Sequence, residues 1–269
     1  MTKKQLLEQI RQKKTYLCVG LDTEEQKIPA HLKSSTKAVF EFNKQIIDAT
    51  KDYCISYKIN TAFYEAMGSK GWEAMEQTVN YIPSTHFKIA DAKRGDIGNT
   101  SSQYAKAFFE TLKFDAITVA PYMGEDSIRP FLEYENKWAI VLGLTSNKGA
   151  KDFEMQQTGD SLLYEKVIAT VSKWGNPDNL MFVAGATQAH QLEVIRKIIP
   201  ENFLLVPGVG LQGGSLQDVS KHGINKETGL LVNVSRAIIY AGSKENFASE
   251  AAIIAKQYQA EMENYIPLF

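Results

Sequence analysis

The chain has few of the features that mark secreted or nucleic-acid-binding proteins. It contains only two cysteines in 269 residues, and its charges nearly cancel, with 30 Lys and Arg against 31 Asp and Glu. Two cysteines without metal-ligand spacing exclude a disulfide framework and a cysteine-based zinc site. A net charge of -1 supplies no long-range attraction for a polyanion, which makes nucleic acid a poor partner.

Long apolar runs are also missing. No stretch approaches the roughly 18 consecutive apolar residues that a membrane span needs. The start, MTKKQLLEQIRQKK, is charged and amphipathic and lacks the apolar centre of a signal peptide. These absences predict a cytoplasmic protein. No low-complexity segment or Pro/Gly/Ser-rich linker divides the chain, so we expect a single domain over residues 1–269.

What the sequence does contain is a regular alternation of short apolar runs with longer stretches of helical period. Such alternation is typical of repeated βα units on a parallel sheet. Runs such as IVLGL and MFVAG are almost continuously apolar, as expected of strands buried on both faces. The eight predicted strands are Tyr16–Leu21, Cys54–Ile59, His86–Ala90, Ala116–Ala120, Trp138–Leu144, Leu180–Ala184, Phe203–Val206 and Gly229–Val234.

The number of strands favours a closed barrel. An open doubly wound sheet would show the same local pattern, but eight strands without a shift in composition favour an α/β fold of the (β/α)8, or TIM barrel, type. An additional helix near Lys3–Gln12 precedes the first strand and is expected to close the bottom of the barrel. The clearest of the other predicted helices are Thr36–Asp52, Ser101–Leu112, Ser161–Trp174, Gln188–Ile198 and Asn246–Met262, with a shorter one near Ser215–Lys221.

Polar residues follow the strand ends, which is where barrels and open α/β sheets both bind their ligands. Because buried charges are rare unless paired, lysines and aspartates that converge there indicate a mutually stabilised network suited to proton transfer. For a single residue such as Asp22, a loop residue or helix cap is the simpler alternative. That alternative is weaker for Lys58, which stands within an apolar strand. The strand-end residues are Asp22, Lys58, Asn60, Asp91, Lys93, Asp96, Thr145, Ser146, Ser235 and Arg236.

The segment Pro207–Gly214 follows the seventh run and contains four glycines. Glycines allow backbone N–H groups to approach an anion closely, although most glycine-rich loops are simple turns. In (β/α)8 enzymes a phosphate commonly lies between the loops after strands seven and eight, where Arg236 would add a charged contact. The pattern therefore predicts an enzyme that acts on a phosphorylated small molecule.

At Asp91–Ile97 the sequence matches the D-x-K-x-x-D pattern after the third strand of the orotidine 5′-phosphate decarboxylase family. The chain resembles the longer bacterial branch of this family over nearly its whole length. The resemblance implies a carboxy-lyase that converts orotidine 5′-monophosphate (OMP) to uridine 5′-monophosphate (UMP) and CO2 in pyrimidine biosynthesis. The other matching segments, in order, are Leu21-Asp22, Tyr57–Asn60, Thr145–Asn147, Pro207–Gly214 and Ser235-Arg236.

Related barrels share this motif but decarboxylate keto-gulonate phosphate or condense formaldehyde with ribulose phosphate, and these use Mg²⁺. They resemble one another in placing an acidic metal ligand on the second strand, where this sequence has Lys58. A cation there repels Mg²⁺ and can complete an alternating Lys58–Asp91–Lys93–Asp96 network. We therefore expect neither a metal nor a cofactor. A barrel that only binds nucleotides is a further alternative, disfavoured because all four network residues are present.

The resemblance also implies a role for each matching residue. Lys93 protonates C6 of the pyrimidine as CO2 departs, Asp91 and Asp96 flank it, and Lys58 orients Asp91. In this family the second aspartate of the motif and a threonine four residues later reach into the neighbouring subunit's site, so a homodimer that exchanges Asp96 and Thr100 is implied. The implied substrate-binding residues are Asp22 for the ribose, Ser146 for the pyrimidine edge, Gln212 and Arg236 for the phosphate, and Asn60, Thr100, Pro207, Gly213, Gly214 and Ser235.

Overall fold

The computed structural model describes residues 1–210 and 213–267. Eight parallel strands close into a barrel in the order β1-β10-β9-β8-β5-β4-β3-β2, while β6 and β7 form a separate antiparallel hairpin. The predicted (β/α)8 barrel is therefore confirmed. The strands are β1 (Leu17–Gly20), β2 (Ser56–Asn60), β3 (Phe87–Arg94), β4 (Ala116–Val119), β5 (Trp138–Leu144), β6 (Gln157–Thr158), β7 (Ser161–Leu162), β8 (Leu180–Ala184), β9 (Leu204–Pro207) and β10 (Leu230–Val234).

Helices surround the barrel, and most lie near their predicted positions. The helix expected from Ser161 begins two residues later, because Ser161 and Leu162 pair with the preceding strand of the hairpin. The helix expected to reach Leu112 changes to a π-helical turn at Ala107–Thr111. The helices are α1 (Lys3–Lys13), α2 (Ala38–Thr50), α3 (Thr61–Glu65), α4 (Ser69–Tyr81), α5 (Gly98–Lys106), α6 (Glu125–Leu132), α7 (Leu163–Val171), α8 (Gln191–Ile198), α9 (Leu216–Gly223), α10 (Arg236–Ile239) and α11 (Phe247–Glu263).

The barrel interior is packed with apolar side chains from alternate strand positions. Phe87, Trp138 and Phe203 are fully buried members of this cluster. Helix α1 adds Leu6 and Ile10 to the same cluster, so the predicted extra helix closes the amino-terminal end of the barrel. The intervening strand residues belong to the second cluster, between the barrel and its helices.

The interior changes from apolar to polar at the carboxyl ends of the strands. Because side chains alternate along a strand, the residue two positions after an inward-facing one also faces inward. Two positions after Ile89, Ala116 and Leu231 stand Asp91, Thr118 and Asn233. Lys58 on β2 pairs with Ile89, and its ammonium reaches Asp91. A layer of polar side chains therefore lies directly above the apolar core. None of the helices within residues 1–210 and 213–267 is long and apolar enough to cross a membrane.

Candidate active site

Asp91 lies between two lysines at the carboxyl end of the barrel. Lys58 Nζ is 2.8 Å from Asp91 Oδ2, and Lys93 Nζ is 2.6 Å from Asp91 Oδ1. Each carboxylate oxygen therefore has its own ammonium partner. The side chain of Lys58 is 3% exposed and that of Lys93 is 49% exposed, so the chain of ion pairs runs from the barrel interior to its mouth.

The charges of this cluster determine its protonation. Burial by itself would raise the pKa of Asp91, but the ammonium groups of Lys58 and Lys93 outweigh burial and hold that pKa well below its usual range. Burial would likewise lower the pKa of Lys58, but the charges of Asp22 and Asp91 raise that pKa above its ordinary value. Asp91 and Lys58 are therefore both charged at neutral pH. The cluster brings two lysines, Lys58 and Lys93, against two aspartates, Asp22 and Asp91. Asp22 Oδ1 is 3.6 Å from Lys58 Nζ, an ion pair longer than a hydrogen bond.

Strand β3 is irregular at the D-x-K-x-x-D motif. It was expected to end at Ala90, but it continues to Arg94. Ala90 pairs with Ile117 and Arg94 pairs with Val119, so the segment Asp91–Lys93 stands opposite a single residue of β4. Lys93 has a φ of 47°, in the left-handed region that side-chain-bearing residues rarely adopt. Bulges of this kind are common next to active sites, where they re-aim side chains.

A cavity of about 160 Å³ adjoins this cluster at the barrel mouth. Seven of the predicted site residues line it: Asp22, Lys58, Asn60, Asp91, Pro207, Ser235 and Arg236. A larger cavity of about 540 Å³ lies between the loop after β1 and helices α2 to α4, but it contains none of the predicted site residues. The charged groups line the smaller cavity, which is therefore the candidate active site.

Three buried polar atoms lining the small cavity have no hydrogen-bond partner among the residues that the structure describes. They are Asp22 Oδ1, Asn233 Oδ1 and Ser235 Oγ. Buried polar atoms are nearly always satisfied, so these atoms indicate where a polar ligand can bind. Gly20 allows them to meet, because a Cβ at that position would lie 2.6 Å from Ser235 Cβ and 3.1 Å from Asn233 Oδ1. Only glycine lets the ends of β1 and β10 approach so closely.

The glycine-rich loop after β9 is a tight turn held by its own amides. Gly210 N–H donates to the carbonyl oxygen of Gly214, Gly213 N–H to that of Gly210, and Gly214 N–H to that of Gly208. These three amides are thus satisfied within the loop. Arg236 is exposed at the cavity rim, where its guanidinium offers positive charge to an anion. The predicted phosphate ligand Gln212 lies outside the described residues.

Several predicted residues stand apart from the ion-paired cluster. Asp96 accepts a hydrogen bond of 2.8 Å from Ile97 N–H and makes no ion pair with any residue of the described chain. Thr100 is exposed on α5. Asn60 Oδ1 caps α3 by accepting from Ala62 N–H. The cluster in one chain is therefore Asp22, Lys58, Asp91 and Lys93.

The loop that carries Ser146 is fixed at its base by a carboxylate that the sequence did not single out. Glu154 accepts hydrogen bonds from both the backbone N–H and the hydroxyl of Thr145, at 2.7 and 2.9 Å. The carbonyl oxygen of Ser146 accepts from the hydroxyl of Thr187. The long polar loop expected after the fifth strand is therefore a folded segment that ends in the β6–β7 hairpin.

Two inward-facing polar residues, Thr118 and Asn233, were also missed. Each interrupts an apolar strand, in the sequences AITVA and LLVNV. The same signal, a polar residue inside an apolar run, singled out Lys58. Applying it to uncharged residues would have identified both.

Comparison with known proteins gives a consistent result over nearly the whole chain. The model of the orotidine 5′-phosphate decarboxylase / HUMPS family matches residues 15–251. The orotidine 5′-phosphate decarboxylase of Christiangramia forsetii is 59% identical over 265 residues, covering 97% of each chain. That of Phocaeicola vulgatus is 58% identical over 267 residues, covering 98% of each. The structure of Leishmania donovani OMP decarboxylase matches with a TM-score of 0.84 and 35% identity, covering 98% of this chain and 99% of that one.

Proposed function

The chain belongs to the orotidine 5′-phosphate decarboxylase / HUMPS family, and we propose that it converts OMP to UMP and CO2 without a cofactor, with Lys93 as the proton donor. The activity is that of a carboxy-lyase in pyrimidine biosynthesis, as named for relatives that share more than half of its residues. The proposal adds the roles of the individual residues.

The observation that supports the proposal most directly is the placement of Lys58. Its ammonium lies between two carboxylates, 2.8 Å from Asp91 and 3.6 Å from Asp22. A lysine there neutralises both carboxylates without a metal. This supports the decarboxylase branch of the family over the Mg²⁺-dependent branch.

The geometry suits a reaction in which a negative charge forms at carbon. Loss of CO2 from C6 of the pyrimidine leaves a carbanion that no carbonyl or cofactor delocalises, so a preorganised cation must stabilise it. Lys93 is the exposed end of the ion-paired chain, and its ammonium can stabilise the carbanion and then transfer a proton to C6. Asp91 and Lys58 fix that ammonium in place before substrate arrives.

Binding of the rest of the nucleotide is assigned to the other residues at the mouth. Asp22 Oδ1 accepts no hydrogen bond within the described residues and is suited to a ribose hydroxyl, and Ser146 is assigned to the pyrimidine edge. Arg236, with Ser235, Gln212 and the loop from Pro207 to Gly214, is assigned to the phosphate, and Asn60 to the ribose side. Binding energy from these contacts, which are remote from C6, increases the rate as well as the affinity.

We further propose that the enzyme is cytoplasmic, which agrees with two buried free cysteines.

A homodimer is part of the proposal. Ile97, Tyr122 and Met123 are exposed apolar residues in the loops after β3 and β4, beside Asp96, and Tyr122 is 95% exposed. Exposed apolar groups in adjacent loops commonly mark protein interfaces. An interface at this surface would bring Asp96 and Thr100 to the site of the second subunit. It would also supply Asp96 with the cationic partner that it lacks within its own described chain.

Mixing two inactive variants tests this shared site. Lys93→Ala and Asp96→Ala subunits are each expected to be nearly inactive alone. After subunit exchange at equal concentrations, half the dimers are mixed and each has one complete site, so about one quarter of the wild-type activity should return. Mixing Lys93→Ala with Asp91→Ala is the control, because both residues serve one site and no mixture restores it. If neither mixture recovers activity once exchange is verified by mass spectrometry, Asp96 does not act across the interface.

The reaction itself is tested by following the loss of the ultraviolet absorbance of OMP after the enzyme has been treated with EDTA and desalted. We expect the same rate before and after chelation, because Lys58 supplies the positive charge that a metal would otherwise provide. A rate that collapses with EDTA and returns with Mg²⁺ would instead support the keto-sugar phosphate branch of the family.

A further inference from the structure

Thr118 is the β4 residue that stands opposite the three-residue bulge Asp91–Lys93, and it bonds to both ends of the bulge. Its hydroxyl accepts a hydrogen bond of 2.9 Å from Lys93 N–H and donates one of 3.1 Å to Asp91 Oδ1. Thr118 is 1% exposed, so water does not compete for these bonds. We propose that Thr118 is a positioning residue, which holds the bulge in the conformation that presents Lys93 to the substrate.

The direction of both hydrogen bonds is fixed by chemistry. An amide N–H can only donate and an ionised carboxylate can only accept, so the single hydroxyl proton of Thr118 must point to Asp91. Lys93 is therefore held at two points. Its ammonium bonds to Asp91 Oδ1 at 2.6 Å, and its backbone reaches the same oxygen through Thr118.

The bulge explains why such a residue is needed. In a regular parallel ladder alternate residues bond to opposite neighbours, so Lys93 N–H would face β2, as does Phe87 N–H, which donates to the carbonyl of Ile55. The register shift between Ala90 and Arg94 instead turns Lys93 N–H toward β4, where Thr118 accepts its hydrogen bond. The ladder resumes only at Arg94, whose carbonyl accepts from Ala120 N–H at 2.8 Å. Lys93 also has a φ of 47°, a conformation that persists only where surrounding bonds enforce it. The hydroxyl of Thr118 supplies that bond.

This inference rests on the proposed role of Lys93. It can be tested with two pairs of variants, each of which compares a side chain that has a hydroxyl with one that does not. Thr118→Val keeps the shape of threonine and removes the hydroxyl, whereas Thr118→Ser keeps the hydroxyl and removes the methyl group. We expect Thr118→Val to lower kcat by about 10- to 100-fold, the effect of losing one hydrogen bond to a charged group, with KM changed far less. Thr118→Ser should retain kcat to within about threefold, since both hydrogen bonds remain possible.

The melting temperature of each variant shows whether a loss of kcat is accompanied by a loss of stability. A Thr118→Val enzyme with the kcat of Thr118→Ser would overturn the inference, whatever its melting temperature. If Thr118→Val does not fold, the smaller pair Thr118→Ser and Thr118→Ala makes the same comparison and is read by the same criterion. Lys93→Ala, assayed in parallel, distinguishes failure of the proposed role of Lys93 from failure of the proposed role of Thr118. Activity that survives in Lys93→Ala refutes the proposed role of Lys93, whereas loss in Lys93→Ala together with full activity in Thr118→Val refutes only the role of Thr118.

Discussion

Replacing Lys93 by alanine should lower kcat for OMP decarboxylation by at least about 10⁴-fold, because the variant loses a general acid and the cation that stabilises the carbanion together. Each of these contributions is large because the ammonium is fixed before substrate arrives, by a 2.6 Å contact with Asp91. Rates are measured by ultraviolet absorbance over hours at high enzyme concentration. UMP binding, measured by calorimetry, shows whether the site remains formed.

Two further variants make the result specific. Lys106→Ala removes an exposed lysine from α5 and should leave kcat unchanged, which controls for loss of a positive charge near the motif. Lys93→Arg keeps the positive charge, but a guanidinium does not give up its proton at neutral pH. We expect Lys93→Arg to remain at least about 10²-fold below wild type. A Lys93→Ala enzyme within tenfold of wild type would exclude Lys93 as the proton donor.

The barrel was predictable from the sequence because its strands are short and nearly continuously apolar. Eight such runs, separated by segments of helical length, leave few arrangements other than a closed parallel sheet. The helix before the first strand was predictable for the same reason, since Leu6 and Ile10 share one face and are fully buried. Hairpin residues Ser161 and Leu162 were assigned to a helix because two-residue strands leave no periodic signal.

The charged cluster was predictable because a lysine in an apolar strand requires a nearby carboxylate. The sequence could not show that β3 continues past Ala90 through a bulge, because the register shift depends on its pairing with β4. Thr118 and Asn233 were missed for a related reason. An uncharged polar residue is common in strands, and only the barrel geometry shows that these two face the interior beside Asp91.

The second large effect is expected from Lys58→Ala, in stability as well as in activity. The side chain of Lys58 is 3% exposed and faces two carboxylates. Lys58→Ala leaves Asp91 with Lys93 alone and removes the ion pair of Asp22, and the loss of one partner from a buried ion pair typically costs about 3–5 kcal/mol in the free energy of unfolding. Activity should also fall sharply, because Asp91 loses the partner that orients it toward Lys93. Urea unfolding at pH 7 measures the first effect, and the absorbance assay the second.

Two other lysine variants calibrate this loss. Lys58→Arg keeps a cation between the carboxylates and should lose less stability than Lys58→Ala. Lys51→Ala breaks an ion pair with Asp48 in which both side chains are more than 40% exposed, so it should change the free energy of unfolding by less than about 1 kcal/mol. Equal losses in Lys58→Ala and Lys51→Ala would mean that burial of the network has no energetic consequence.

The pH dependence of the Lys58→Ala defect identifies its cause. In the wild type, the pKa of Asp91 is depressed below its ordinary value of 3.8, so ionised Asp91 adds stability at neutral pH that is lost as pH falls through the folded-state pKa. Without Lys58 that pKa rises, because burial then opposes only one remaining cation, and protonation of Asp91 relieves the unpaired charge. The difference in unfolding free energy between wild type and variant should therefore narrow as the pH falls below 3.8, where the unfolded chain takes up a proton at Asp91 and the folded wild type does not. A difference that stays constant over this range would assign the defect to lost side-chain packing, and Lys58 would then not be the electrostatic partner of Asp91.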